Sequence, residues 1–139
     1  MPDKTKPMLL CLDLEKGSET LAHYVGARAM HCNQTVHVLY VHPKAHGGPA
    51  FEDAQAHLDR LVTANLADVI VEAVAIRHGL PEETIVAYAK EYAVDPIVLG
   101  RRQRSTIERI HVGSTTSAVI SLATGPVLIV PIDFSENLS

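Results

Sequence analysis

Residues 97–116 read Ile97-Val98-Leu99-Gly100-Arg101-Arg102-Gln103-Arg104-Ser105-Thr106-Ile107-Glu108-Arg109-Ile110-His111-Val112-Gly113-Ser114-Thr115-Thr116. An apolar run stops at a glycine, a basic segment follows, and Gly113-Ser114 opens a segment with helical character. Short continuous apolar runs suit strands buried on both faces, as in a parallel sheet. Strand, loop and helix in that order form part of a βαβ unit, so the flanking sequence should alternate in the same way.

It does. Met8-Leu9-Leu10-Cys11-Leu12 is a near-continuous apolar run ending at Asp13. Thr35 to Val41 and Val69 to Ile76 are β-branched runs, and Val127 to Val130 is bracketed by Pro126 and Pro131. Helical patterns fill the gaps. Ser18 is placed to cap a helix running to about Cys32, with Leu21, Val25 and Ala29 on one stripe. Ala54, Leu58, Leu61 and Val62 recur at helical spacing between Phe51 and Leu66. Pro81-Glu82-Glu83 is a helix start, with proline at the first position and acids favoured by the dipole. Ile85, Ala89 and Tyr92 continue that face. Ser114 is placed to cap the last helix, which Gly125-Pro126 ends. The order β1-α1-β2-α2-β3-α3-β4-α4-β5 predicts a doubly wound parallel α/β sheet with helices on both faces. Residues 1–139 read as a single domain, with loose tails over 1–6 and 133–139 and a flexible loop at His46-Gly47-Gly48-Pro49.

Ligands of such sheets bind beyond the carboxyl ends of the strands, where the strand order reverses. Two strand ends stand out, Asp13 and Gly100. The connection from Gly100 to Ser114 exceeds the usual length of about 2–6 residues, and long connections are often functional. Gly113 permits close backbone approach, Ser114 and Thr115 carry hydroxyls, and N–H groups project where the helix begins, which together make an anion site. Arg101, Arg102, Arg104 and Arg109 concentrate positive charge there. A simpler reading gives Gly113 to the turn, Ser114 to the cap and the arginines to solubility. Asp13 suits a turn or cap carboxylate first, and a ribose hydroxyl as the alternative. The residues alone leave both pairs of readings open.

Bulk properties narrow the classes. The chain has 139 residues, 47% of them hydrophobic and 20% charged, as in globular proteins. A net charge of −4 disfavours general nucleic-acid binding. Two cysteines, Cys11 and Cys32, make no disulfide framework and suit a reducing compartment. No apolar run approaches the roughly 20 residues of a membrane span, and the polar start carries no apolar leader, so a cytoplasmic location is expected. The chain holds no GxxxxGK[ST] and no GxSxG, and no nucleophile–base pair stands out, so no catalytic residues and no efficient turnover are expected. Its eight histidines show no metal-ligand spacing, so no metal site is expected.

Over nearly its whole length the chain resembles the universal stress protein family. The match rests on Leu9-Leu10-Cys11-Leu12-Asp13, on Gly79-Leu80-Pro81 through Ala89, on Val94-Asp95-Pro96 through Gly100, on Gly113-Ser114, and on Gly125-Pro126 through Pro131. The resemblance implies a five-stranded parallel sheet in the order 3-2-1-4-5. It implies a homodimer that pairs the last strands, here Val127 to Val130. It further implies ATP or AMP as ligand, with Mg²⁺ accompanying ATP, in a stress-response or signalling role. Many members bind ATP through G-x2-G-x9-G-[S/T]. Gly100, Gly113 and Ser114 match that pattern, while Gln103 replaces the middle glycine, as in members that do not bind ATP. By resemblance Asp13 contacts the nucleotide, Val41 offers backbone to the adenine, and Ser114 and Thr115 meet phosphates. Arg101, Arg102 and Gln103 flank the phosphate path. The alternative function is a nucleotide-free dimeric module acting through a partner protein.

Overall fold

The structure is a computed structural model that describes residues 5–42, 51–102 and 113–132. Along the chain run β1 (Met8–Leu12), α1 (Ser18–Cys32), β2 (Val36–His42), α2 (Phe51–Asn65), β3 (Val71–His78), α3 (Pro81–Tyr92), β4 (Ile97–Arg101), α4 (Ser114–Leu122) and β5 (Val127–Pro131). The five strands form one sheet in the order β3-β2-β1-β4-β5. Every pairing is parallel, from Leu10 against Val38 and Val98 to Leu99 against Ile129.

Successive side chains of a strand point to opposite faces, so each central strand must supply two cores. Met8, Leu10 and Leu12 of β1 join Val36, Val38 and Tyr40 of β2 under α1 and α2, whose Leu21, Val25, Leu58 and Leu61 complete that core. Leu9, Cys11, Leu39, Val41 and Leu99 face the other way, under Ile85 and Tyr88 of α3 and Val119 of α4. This accounts for the continuous apolar runs of β1 and β2. The edge strands depart from the expectation of burial on both faces: most of β3 is half-buried or exposed, and β5 is largely half-buried. An edge strand has one neighbour and thinner cover.

Other local readings need correction. Neither Ser18 nor Ser114 caps its helix. The cap positions are Gly17 and Gly113, neither bonded by a side chain. Strand β3 starts two residues later than its apolar run, at Val71. On α3 the deeply buried residues are Ile85, Val86 and Tyr88, while Tyr92 is 38% exposed. Pro81 does begin α3, and Glu82 and Glu83 lie in its first turn. The His46-Gly47-Gly48-Pro49 loop and both ends of the chain (residues 1–4 and 133–139) lie outside the described residues.

Candidate functional site

Strands β1 and β4 are hydrogen-bonded neighbours, yet β2 and β3 lie on one side of them and β5 on the other. The crevice at their carboxyl ends is therefore the topological switch point. Asp13 leaves β1 there in a tight turn. Leu14, the next residue, has φ 61, a left-handed conformation that few non-glycine residues adopt. Local contacts hold that turn. Leu14 packs on the α1/α2 core, and the Glu15 N–H donates to Asp13 Oδ1 at 2.9 Å. Asp13 thus has the turn role that its position allowed.

It also has a partner 89 residues away. Arg102 Nη1 donates to Asp13 Oδ2 at 2.8 Å, and Nη2 donates to Oδ1 at 3.0 Å. Arg102 Nε donates to the Lys16 carbonyl at 2.7 Å, which ties the end of β4 to the β1–α1 turn. The Ser18 hydroxyl reaches Asp13 Oδ1 at 3.4 Å. Burial tends to raise the Asp13 carboxyl. The Arg102 and Glu15 hydrogen bonds, the guanidinium charge and Ser18 together outweigh it and hold the carboxyl below its usual range. The Tyr40 hydroxyl is pushed up, first by burial and then by the charges of Asp13 and Glu15.

The glycines at the site exist for different reasons. A Cβ at Gly100 would sit 2.6 Å from Ile132 Cδ1, and one at Gly17, where φ is 98, would sit 2.9 Å from the same atom. Ile132 is buried over both. A side chain at Gly100 would thus require the end of the Ile132 side chain to shift. Gly113 is different. Its φ of −58 is open to any residue, and among the described residues a Cβ there would meet nothing within 4 Å. It stands at the start of α4 without a side-chain cap, where the first N–H groups of a helix have no partner within the helix itself. Ser114 is exposed, Thr115 is half-buried and Thr116 is buried. Val41 is buried in the α3/α4 core, which leaves its backbone at the end of β2. Arg101 is half-buried at the end of β4. Gln103, Arg104 and Arg109 lie outside the described residues.

The universal stress protein family matches residues 4–131. The chain belongs to that family. It is 38% identical over 52 residues to the universal stress protein MJ0577 of Methanocaldococcus jannaschii, a stretch that covers 37% of this chain and 32% of that relative. The structure of a universal stress protein from Archaeoglobus fulgidus superposes with a TM-score of 0.73 at 25% identity, covering 91% of this chain and 98% of that one. An Archaeoglobus fulgidus universal stress protein in complex with dAMP gives a TM-score of 0.65 at 25% identity, covering 89% and 96% of the two chains.

At the opposite end of its sheet this universal stress protein carries a polar cluster that sequence reading missed. His37, buried in β2, has Nδ1 2.8 Å from the Tyr88 hydroxyl and Nε2 3.5 Å from Glu72 Oε1. The pairing of β2 with β3 slips between Val36 and His37, from Val71 to Ala73, so Glu72 is a bulge residue. A bulge re-aims a side chain, here toward His37. The Thr35 hydroxyl bonds the other Glu72 oxygen, and Tyr92 packs 5.1 Å from the His37 ring. Burial, followed by the neighbouring Tyr92, pushes the Tyr88 hydroxyl up. A cleft of about 510 Å³ opens beside His37, Glu72 and Tyr92. The available signal was one histidine inside the β-branched run Thr35 to Val41. Cys11 is buried and its thiol is pushed far up by that burial, so it is an inert packing residue. Among the described residues no three histidine, cysteine or acidic side chains lie together as a metal site, and no helix is long and apolar enough to cross a membrane.

Proposed function

We propose that this universal stress protein binds an adenine nucleotide, ATP or AMP, at the carboxyl ends of β1 and β4, in a stress-response or signalling role without efficient turnover. The observation that carries this reading is Gly113. Among the described residues neither its backbone angles nor its neighbours call for a glycine, yet it stands at a helix N-terminus that no side chain caps. An anionic group approaching the backbone needs that combination. Asp13 supplies an acceptor for a ribose hydroxyl at the switch point, as such acids do. Backbone at Val41 would meet the adenine, and Ser114, Thr115, Arg101 and Arg102 would meet phosphates. A magnesium ion would enter only as the companion of ATP. The related Archaeoglobus fulgidus protein in complex with dAMP supports the ligand class.

The same reading includes a cytoplasmic homodimer. Among the described residues strand β5 has one strand neighbour, β4, and its Val127, Leu128 and Ile129 remain half-buried. Nearby α4 exposes Ile120 and Leu122 at 50% and 48%. An apolar edge of this kind favours a second copy across a two-fold axis. Sedimentation at micromolar concentration should give a dimer, and Ile129→Lys should give a monomer. The dimer alone, working through a partner protein, remains the second reading because Gln103 replaces the middle glycine.

Thermal melting separates the two. A nucleotide at about 100 times its Kd adds about 2.7 kcal/mol to the folded state. A raised melting temperature with ATP or AMP supports nucleotide binding. No shift with either at millimolar concentration leaves the dimeric module.

A further inference from the structure

Asp13 is already engaged. Its Oδ1 accepts from Glu15 N–H, Arg102 Nη2 and, more weakly, Ser18 Oγ, while Oδ2 accepts from Arg102 Nη1. A carboxylate offers about four acceptor positions in all, so most are filled. The guanidinium lies across both oxygens in the fork-on-fork geometry that makes such pairs directional. Its Nε is bound to the Lys16 carbonyl, so the fork is held from a third side. Arg102 is 29% exposed and Asp13 is 54% exposed, so the pair sits at the mouth of the crevice, where a ligand can reach it.

A ribose diol that approaches Asp13 must therefore compete with Arg102. A nucleoside gives the displaced guanidinium no new partner. A nucleotide does, because a phosphate accepts two parallel N–H bonds from the same fork. We propose that Arg102 is an internal competitor for Asp13 which changes partners on binding, from carboxylate to phosphate, so that the site takes adenine nucleotides and rejects adenosine. This rests on the proposed nucleotide site and adds the basis of its selectivity. Selectivity then comes from the cost of breaking the bidentate Arg102–Asp13 pair without a replacement for it, more than from any contact to the base.

The test compares adenosine, AMP and ATP by calorimetric titration on the full chain and on two variants. Arg102→Met keeps the aliphatic stem and removes the fork. Arg102→Lys keeps the charge and removes the bidentate geometry. The wild type should prefer AMP to adenosine. In Arg102→Met, adenosine should bind more tightly while AMP binds more weakly, which lowers the preference by about tenfold or more, the size of a charge-assisted pair. Arg102→Lys should fall between. Circular dichroism shows whether each variant is folded, and the lysine variant carries the test if the methionine variant is not. An AMP-to-adenosine ratio unchanged by both substitutions overturns the role of Arg102 and leaves the nucleotide site standing. Adenosine binding weakened by Arg102→Met overturns it as well. No binding of any of the three compounds by wild type or variants overturns the nucleotide site and this proposal together.

Discussion

Gly113→Ala separates a ligand-binding glycine from a structural one. Glycine is preferred over alanine at a helix cap position by up to about 1 kcal/mol. Against that, removing a glycine stiffens the unfolded chain and returns about 0.4–1 kcal/mol where the native angles suit alanine. They do suit it, since φ is −58 and ψ is 159. No atom of the described residues lies within 4 Å of the added methyl, so they add no clash. The two terms nearly cancel, and stability should change by no more than about 0.5 kcal/mol. Binding should respond differently. A methyl at the start of α4 keeps a phosphate from the backbone N–H groups. Losing one hydrogen bond to a charged oxygen costs about 1.5–3 kcal/mol, or roughly 10- to 100-fold in affinity. Urea denaturation and calorimetric titration with AMP on the same preparations measure both. Unchanged affinity in a fully stable Gly113→Ala protein would falsify the placement of the anion at the start of α4.

Further tests bear on the scaffold and its charges. Gly26→Ala places a Cβ 2.3 Å from the Asn65 carbonyl oxygen, where backbone cannot yield. The roughly 1 kcal/mol gained in helix propensity should be exceeded by the cost of overpacking, about 1–3 kcal/mol, and a higher urea midpoint would show that α1 and α2 pack otherwise. Tyr88→Phe takes the hydroxyl from buried His37 and should cost about 1–3 kcal/mol. Combined with His37→Leu, the loss should be smaller than the sum, and strict additivity would contradict the contact. Asp13 has a lowered folded-state pKa, so its contribution is present above its unfolded pKa of about 3.9 and is lost as pH falls through the folded value. With more than a third of the side chain exposed, solvent screening limits that contribution to about 1 kcal/mol or less. Asp13→Asn should flatten the acid limb of stability between about pH 2 and pH 5, and an acid limb as steep as the wild type's counts against the ion pair.

Local signals carried much of this architecture. Strand β1 begins and ends where its apolar run does, and Pro81 marks the first residue of α3. The alternation of five apolar runs with helical patterns predicted the parallel sheet that the structure shows. What was illegible depends on tertiary neighbours. The register of β3 on β2 slips at Glu72, which turns toward His37, and nothing within Val69–Ile76 announces that partner. Tyr88 goes inward instead of Tyr92 because a buried imidazole waits for its hydroxyl. Glycines rather than serines hold the cap positions of α1 and α4, since Ser18 is turned toward Asp13 and Gly113 lies open to solvent.

At the site, Asp13, Gly113 and the basic residues after β4 were visible as types in suggestive places. Their mutual arrangement was not. Gly100 matched a phosphate-loop pattern, yet it also packs against Ile132, 32 residues on. Arg102 read as one member of a basic cluster with an open choice between ligand and solvent. The structure places it on Asp13, across a separation of 89 residues that no periodicity encodes.

The central claim is that one adenine nucleotide occupies the crevice between β1 and β4 of each chain. Native mass spectrometry of the protein with added AMP or ATP, beside Asp13→Ala and Gly113→Ala, measures that directly. One nucleotide per chain on the wild type, lost or sharply reduced in both variants, is the expected result. A wild-type spectrum free of nucleotide at millimolar ligand, or one equally loaded in both variants, would contradict it.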